Sequence, residues 1–354
     1  MTTPLAEILI KQIKTLGPMS IADFMAAYLL HPEHGYYTQQ QVFGRTGDFI
    51  TAPEISQMFG ELIGLSLAQS WITQGSPKDA VVVELGPGQG TLMHDIKRAT
   101  KGVAGFADLP VHMVERSPRL REIQAGMIPN VIHHDDVTTL PEVPRFIIAN
   151  EFLDALPIRQ FQRAEDGWSE CVVGAQDDAL IYGLTPPVPI DALEHRVDDT
   201  QIGDVIEICP ALPGIVGELS RSIAENGGAA LFIDYGDWRS IGDTLQAVQD
   251  HQMVPTLQSP GLTDITAHVD FEAIANAAHG LAVSGMTRQG LFLERLAITQ
   301  RAQSLAKQMQ GDALQTHIAA HKRLTHPDLM GDLFKVIGIA QTDAHLPPGL
   351  DPAP

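Results

Sequence analysis

The run Val81-Val82-Val83-Glu84-Leu85-Gly86-Pro87-Gly88-Gln89-Gly90-Thr91-Leu92 constrains the fold more than any other segment. Three β-branched residues in succession read as a strand buried on both faces, as in a parallel sheet. The acid Glu84 follows, and glycines then stand at every second position, Gly86, Gly88 and Gly90, before a helix opens at Thr91. Glycine takes positive φ without steric cost and lets a ligand approach bare backbone. A dinucleotide turn would space them as G-x-G-x-x-G, with a pyrophosphate on the helix N-terminus. The spacing here is G-x-G-x-G, which counts against an NAD(P) oxidoreductase.

Strand and helix patterns alternate after that run, at Val111 to Glu115, Pro118 to Gly126, Val131 to His133 and Arg145 to Ala149. Such alternation predicts an α/β, Rossmann-like parallel sheet covered on both faces. Two amphipathic helices are expected first, Leu5 to Leu16 and, capped by Ser20, on to Leu30. A long helix over Glu54 to Gln74 completes an N-terminal helical cap, residues 1–76. A core over 77–345 follows. It is interrupted at 158–190 by three antiparallel strands, Gln160 to Arg163, Trp168 to Val173 and Ala179 to Leu184. Gly236 to Thr266 reads as irregular, Leu291 to Gln310 as one helix and Leu333 to Gln341 as a last strand. The proline-rich tail, 346–354, reads as disordered.

Composition narrows the function classes. The net charge of −20 argues against a nucleic-acid partner, which needs Lys and Arg for the phosphate backbone. Two cysteines supply neither a metal quartet nor a disulfide framework. No apolar run approaches the ~20 residues of a membrane span, so no membrane insertion is expected. Met1 to Ser20 has no apolar block and no Arg, which reads as neither secretion signal nor mitochondrial presequence and points to a bacterial cytoplasmic protein.

Ligands of an open parallel sheet bind beyond the carboxyl ends of its strands. Here those ends carry Glu84 with the glycine turn, Glu115, the pair Asp135-Asp136, and Asn150-Glu151. Glu115 can accept both hydroxyl hydrogens of a ribose, because a carboxylate only accepts. It is also placed to cap the helix after Ser117-Pro118. Of Asp135 and Asp136, one can accept from an adenine amino group while the other caps the chain after Val137; Asp136 is favoured for the base. The loop Gly44 to Glu54 is polar yet carries Phe49 and Ile50, as if it folded over a ligand with Asp48 and Thr51 beside them. Thr51 and Pro53 equally suit an ordinary helix start. His268 can shuttle a proton or serve the fold. His133-His134-Asp135-Asp136 lacks matching metal ligands elsewhere, so no metal is expected.

Several segments together resemble one family. They are Gly47 to Glu54 with Ser56 to Glu61, Glu84 to Gly90, Asn150-Glu151-Phe152-Leu153-Asp154-Ala155-Leu156-Pro157, Ile233-Asp234-Tyr235-Gly236, and Asp264 to Phe271. The chain is similar to the MidA-type methyltransferases that use S-adenosylmethionine, a family that includes the mitochondrial complex I assembly factor. The resemblance spans Ile21 to about Ala297. It implies a seven-stranded class I methyltransferase core with S-adenosylmethionine as cofactor. It also implies arginine N-methylation of a protein substrate, in the mitochondrial members a complex I subunit. The cofactor is then expected on Gly86, Gly88 and Gly90, with Glu84, Glu115, Asp135, Asp136, Asn150, Asp48 and Thr51 around it. Glu151 and Asp154, three apart, converge if their segment turns. Paired carboxylates would hold a guanidinium and take up its proton, with His268 as a third catalytic candidate. Two other readings share these residues: an assembly chaperone that binds the cofactor without catalysis, and a methyltransferase of small molecules.

Overall fold

A computed structural model of the chain describes residues 3–38, 51–239, 241–249 and 252–353. Its centre is a sheet whose main strands, in chain order, are β1 (Val81–Leu85), β2 (Val111–Val114), β3 (Ile132–His134), β4 (Arg145–Asn150), β5 (Gly228–Asp237), β6 (Leu281–Val283) and β7 (Phe334–Gln341). They lie in the order β6-β7-β5-β4-β1-β2-β3. All run parallel except β7, which is antiparallel to both neighbours. The chain moves outward from β1 to β3, then returns to place β4 on the other side of β1. In an open α/β sheet such a reversal is where a ligand crevice is expected, here beyond the carboxyl ends of β1 and β4.

The apolar pattern of the strands explains the covering layers. Val82, Phe146 and Ile148 face one core with Phe59, Ile63 and Leu92, whereas Val81, Val83, Leu85 and Ile147 face another with Val216, Leu219 and Phe271. Helix Gln57–Thr73 lies very close to helix Thr91–Ala99. A Cβ at Gly60 would stand 2.6 Å from the Asp95 Cβ, and one at Gly64 would meet the Ile96 backbone at 3.0 Å. Glycine is what permits this approach.

The N-terminal helices Pro4–Leu16 and Ile21–Leu30 belong to a third core. Leu5, Leu9, Phe24 and Met25 pack there against Val173 and Ile265. Ser20 Oγ accepts the Asp23 N–H at 3.0 Å, capping the second helix. The inserted strands Arg159–Ala164, Gly167–Gln176 and Ala179–Leu184 recruit Val205–Ile208 and the two residues Met19–Ser20 into a separate antiparallel sheet.

Some elements depart from the pattern read in the sequence. The helix expected over Glu54 to Gln74 breaks at Ser56, whose backbone is extended and whose hydroxyl caps the second piece by accepting from Met58 N. Ala297, at φ 68°, divides the expected helix Leu291 to Gln310. Within Gly236 to Thr266 the chain builds a three-stranded antiparallel sheet from Gln246–Gln249, Gln252–Val254 and Asp264–Thr266. The tail read as disordered is packed over 346–353. Leu346 and Leu350 reach the main core, Pro352 bridges to Ser284, and Gly285 N donates to Asp351 O.

Candidate active site

β1 ends in a turn that only glycine adopts readily. Gly86, Gly88 and Gly90 have φ of 61°, 52° and 87°. Gly90 N donates to Pro87 O at 2.8 Å and leads into helix Thr91–Ala99. The Phe152 ring lies against Gly86, where a Cβ would be 2.7 Å from Phe152 Cδ2. Glu84 sits just before the turn, 3% exposed, and its Oε2 has no hydrogen-bond partner among the described residues. Burial pushes its carboxyl up to about 8.

Glu115 follows β2. Its Oε1 accepts from Ser117 N at 2.8 Å and its Oε2 from Gln124 Nε2 at 3.5 Å. Burial raises its pKa. Beyond β3 the two aspartates divide differently from expectation. Asp136, favoured for a base contact, is the cap: its Oδ1 accepts from Thr138 N at 2.9 Å. That backbone bond holds its pKa below the ordinary value. Asp135 is exposed and paired with Arg121 at 2.5 Å. His133 turns to Gln124, and His134 to His112 and Thr139. The His-His-Asp-Asp run therefore points to different partners, and no set of metal ligands occurs among the described residues.

β4 ends in an acidic turn that is half-buried at Glu151 and buried at Asp154. Glu151 holds φ at 50°, unusual for a residue with a Cβ, while its N–H donates to Ile233 O at 2.9 Å. Its Oε1 accepts from Ala52 N at 3.0 Å and Asn150 Nδ2 at 3.1 Å. This carboxylate, rather than the Thr51 hydroxyl, closes the start of the short helix Ala52–Ile55, because the Thr51 side chain makes no capping bond. Asp48 lies outside the described residues. Among the described residues, the buried Asn150 Oδ1 and Asp154 Oδ1 make no close hydrogen bond, although Tyr235 stands near enough to Asp154 to lower its proton affinity. Burial raises Glu151 to about 7 and Asp154 to about 6.

A third carboxylate supports this turn. Asp234, on β5 beside β4, accepts through Oδ2 from Leu153 N at 3.0 Å and Asp154 N at 3.3 Å, and through Oδ1 from Tyr235 N at 3.0 Å. Burial first, then the charges of Asp154 and Glu151, raise its pKa. Tyr37 donates to Asp264 Oδ1 at 3.3 Å close by, and burial with the neighbouring acids pushes its phenol up. Asp234 and the two tyrosines were not among the expected site residues. The rule that exposes Glu84, Glu115 and Glu151, a polar residue at a strand's carboxyl end, also points to Asp234. His268 stands one ring away from the acids. It packs edge-on against Tyr235, with centroids 5.3 Å apart, and lines a cavity of about 300 Å³ with Leu153, Leu193 and Ile206. Burial and the Lys335 charge lower its pKa.

The family model described as "Putative S-adenosyl-L-methionine-dependent methyltransferase" matches residues 62–287. The chain belongs to this family. It is an S-adenosylmethionine-dependent methyltransferase. It is 35% identical to the human "Protein arginine methyltransferase NDUFAF7, mitochondrial", a match covering 95% of this chain and 83% of that protein. It is 33% identical to the Drosophila melanogaster homolog of the same name, over 95% and 84% of the two chains. The crystal structure of a Burkholderia thailandensis protein bound to S-adenosyl-homocysteine superposes with a TM-score of 0.82 at 29% identity, covering 97% of this chain and 93% of that one. These matches correct the bacterial cytoplasmic address read from residues 1–20. The curated relatives are mitochondrial proteins of animals and the similar solved structure is bacterial, so membership in the family carries no single compartment. Among the described residues, no helix is long and apolar enough to cross a membrane.

Proposed function

We propose that this methyltransferase transfers methyl groups to an arginine side chain of a protein, and that the crevice beyond β1 and β4 holds both reactants. The observation that carries the proposal is the nearness of Glu151, half-buried, and Asp154, buried, in one turn next to the glycine cradle, with Asp154 Oδ1 beside Tyr235 and without a close hydrogen-bond partner among the described residues. Relatives named as protein arginine methyltransferases support the acceptor. A subunit of NADH:quinone oxidoreductase is the proposed protein substrate, on the family resemblance.

The residues present fit S-adenosylmethionine. Three glycines at positive φ leave bare backbone beside the ligand. Glu84 Oε2 and Asn150 Oδ1, buried acceptors without a partner among the described residues and at the ends of adjacent strands, suit a cationic amino-acid end. Glu115 offers carboxylate oxygens to a ribose diol. Asp135 and Asp136 stand at the next strand end, where a base would lie. When bound, the cofactor supplies an electrophilic methyl group on a sulfonium.

The chain's own residues do the rest. A guanidinium is protonated in water, with a pKa above about 12, and has no lone pair to offer until it sheds a proton. Glu151 and Asp154 accept its N–H groups, which selects the planar, doubly donating cation over a lysine. They orient one nitrogen toward the cofactor and take the proton at a carboxylate oxygen. Their raised proton affinity suits that task near neutrality. His268 is proposed to assist from behind Tyr235. The test is incubation with isotopically labelled cofactor and an arginine-containing substrate peptide. The expected result is label on arginine, lost in Glu151→Gln with cofactor binding retained. Label on another residue, or full activity of Glu151→Gln, overturns the reading.

A further inference from the structure

Gln124 lies on helix Pro118–Met127, fully buried and outside every motif singled out above. Its amide touches three successive strand ends. Nε2 donates to Gly88 O at 2.7 Å, in the turn after β1. The same nitrogen reaches Glu115 Oε2 at 3.5 Å, after β2. Oε1 meets His133 Nε2 at 2.8 Å, on β3. The stem also lies against the last glycine of the turn, because a Cβ at Gly90 would be 3.4 Å from Gln124 Cγ.

The polarity of this chain is dictated by its ends. A carbonyl and a carboxylate only accept, so both must face the NH₂ of the amide. Oε1 then has to face His133, whose Nε2 must carry a hydrogen. The Glu115 carboxylate is held on one oxygen by Ser117 N–H at 2.8 Å, and the Gln124 amide faces its other oxygen at 3.5 Å, the outer limit of a hydrogen bond. The Gly88 peptide is thus fixed by the same amide that faces Glu115.

We propose that Gln124 is a positioning residue for the cofactor, and that it locks the ribose-binding acid to the glycine turn with His133 holding it from behind. The proposal rests on the placement of the cofactor over Gly86–Gly90 and Glu115. An acceptor ordered beforehand does not have to be ordered on binding, and the loss of one such side chain weakens affinity by about tenfold.

The experiment is calorimetric titration of the whole protein with S-adenosyl-homocysteine, together with steady-state kinetics on the substrate peptide. Gln124→Met keeps the volume and removes the amide. The dissociation constant and the KM for the cofactor should rise about tenfold, with kcat at saturating cofactor within about twofold of the parent. His133→Phe should shift the same constant in the same direction by less. The double variant should bind no more weakly than Gln124→Met alone, because His133 acts only through Gln124. Gln124→Glu guards against misfolding of the methionine variant. It sets a carboxylate against Gly88 O and Glu115, so its affinity should recover as the pH is lowered and the new group protonates. Parental affinity in Gln124→Met, full additivity with His133→Phe, or pH-independent binding by Gln124→Glu overturns the proposal. Glu115→Ala separates the two levels. Unimpaired binding there removes the cofactor placement itself, whereas lost binding with an unaffected Gln124→Met removes only the coupling.

Discussion

Asp234 Oδ2 accepts the backbone N–H of Asp154 at 3.3 Å, so the carboxyl end of β5 holds in place the acid that follows β4. The same oxygen takes the Leu153 N–H, and Oδ1 takes that of Tyr235. One side chain thus satisfies three buried amides and sets the direction of the acidic turn. Asp234→Asn has only one carbonyl oxygen for two groups of donors, and its NH₂ must face an amide N–H. The variant should lose about 1–3 kcal/mol of stability, the usual cost of unsatisfied buried donors. It should also methylate far more slowly while binding S-adenosyl-homocysteine with near-parental affinity. Thermal unfolding, calorimetry and a methyl-transfer assay measure the three effects.

The raised pKa values of Glu151, about 7, and Asp154, about 6, give the reaction an acid limb. Both groups accept protons only when ionised, so kcat/KM should fall as the pH drops through this range and level off above it. The two acids interact, and the limb reports the pair rather than either residue. A bound guanidinium favours the ionised forms, so the limb in kcat should lie at lower pH than the limb in kcat/KM. Glu151→Gln removes one of the two steps. Steady-state rates across the pH range, with cofactor saturating, display the profile.

Much of this site was legible in the sequence because its chemistry sits where local pattern is strongest. The Val81–Leu85 strand, the glycine spacing and the acids at strand ends are all short-range signals, and β1, β2 and β4 bring Glu84, Glu115 and Glu151 to one edge of the sheet. What could not be read depends on contacts far apart in the chain. Met19–Ser20 joins the inserted strands through pairs with Val172 and Val173, which no local pattern encodes. The acceptor for Ala52 N is Glu151, brought there by tertiary folding. Asp135 and Asp136 are adjacent and chemically alike, so only the backbone geometry after β3 decides which of them caps. Helix Gly311–Thr325 escaped notice because Leu324 is its one fully buried apolar residue, leaving almost no periodic stripe.

Glu84 predicts an inverse effect of pH on stability in the absence of ligand. Its pKa in the folded protein is raised from 4.5 to about 8, so the folded state keeps a proton that the unfolded chain has released. The associated stability is complete below 4.5 and is lost as the pH rises toward 8. The ligand-free protein should melt at lower temperature near pH 8 than near pH 5, and Glu84→Gln, which cannot ionise, should flatten that slope. Melting curves of both proteins across the interval give the comparison.

Glu61 makes the opposite prediction from a place away from the crevice. It is 4% exposed on helix Gln57–Thr73 and accepts from Arg301 Nε at 2.7 Å, Arg301 Nη2 at 3.0 Å and Arg98 Nη1 at 2.9 Å. Those arginines stand on helices Ile298–Ala306 and Thr91–Ala99, so one carboxylate ties three helices over the same face of the sheet. Burial alone would raise its pKa, but the bonds and charges of Arg301 and Arg98 outweigh it and leave the group below 4.5. Stability from the network is therefore present above 4.5 and fades as the pH falls below it. Because both arginines are partly exposed, the contribution is that of a few charge-assisted hydrogen bonds, about 2 kcal/mol, rather than of a fully buried ion pair. Glu61→Gln should lower the midpoint of urea unfolding at neutral pH and approach the parent in acid. Its affinity for S-adenosyl-homocysteine should match the parent, since no residue of the network reaches the glycine turn.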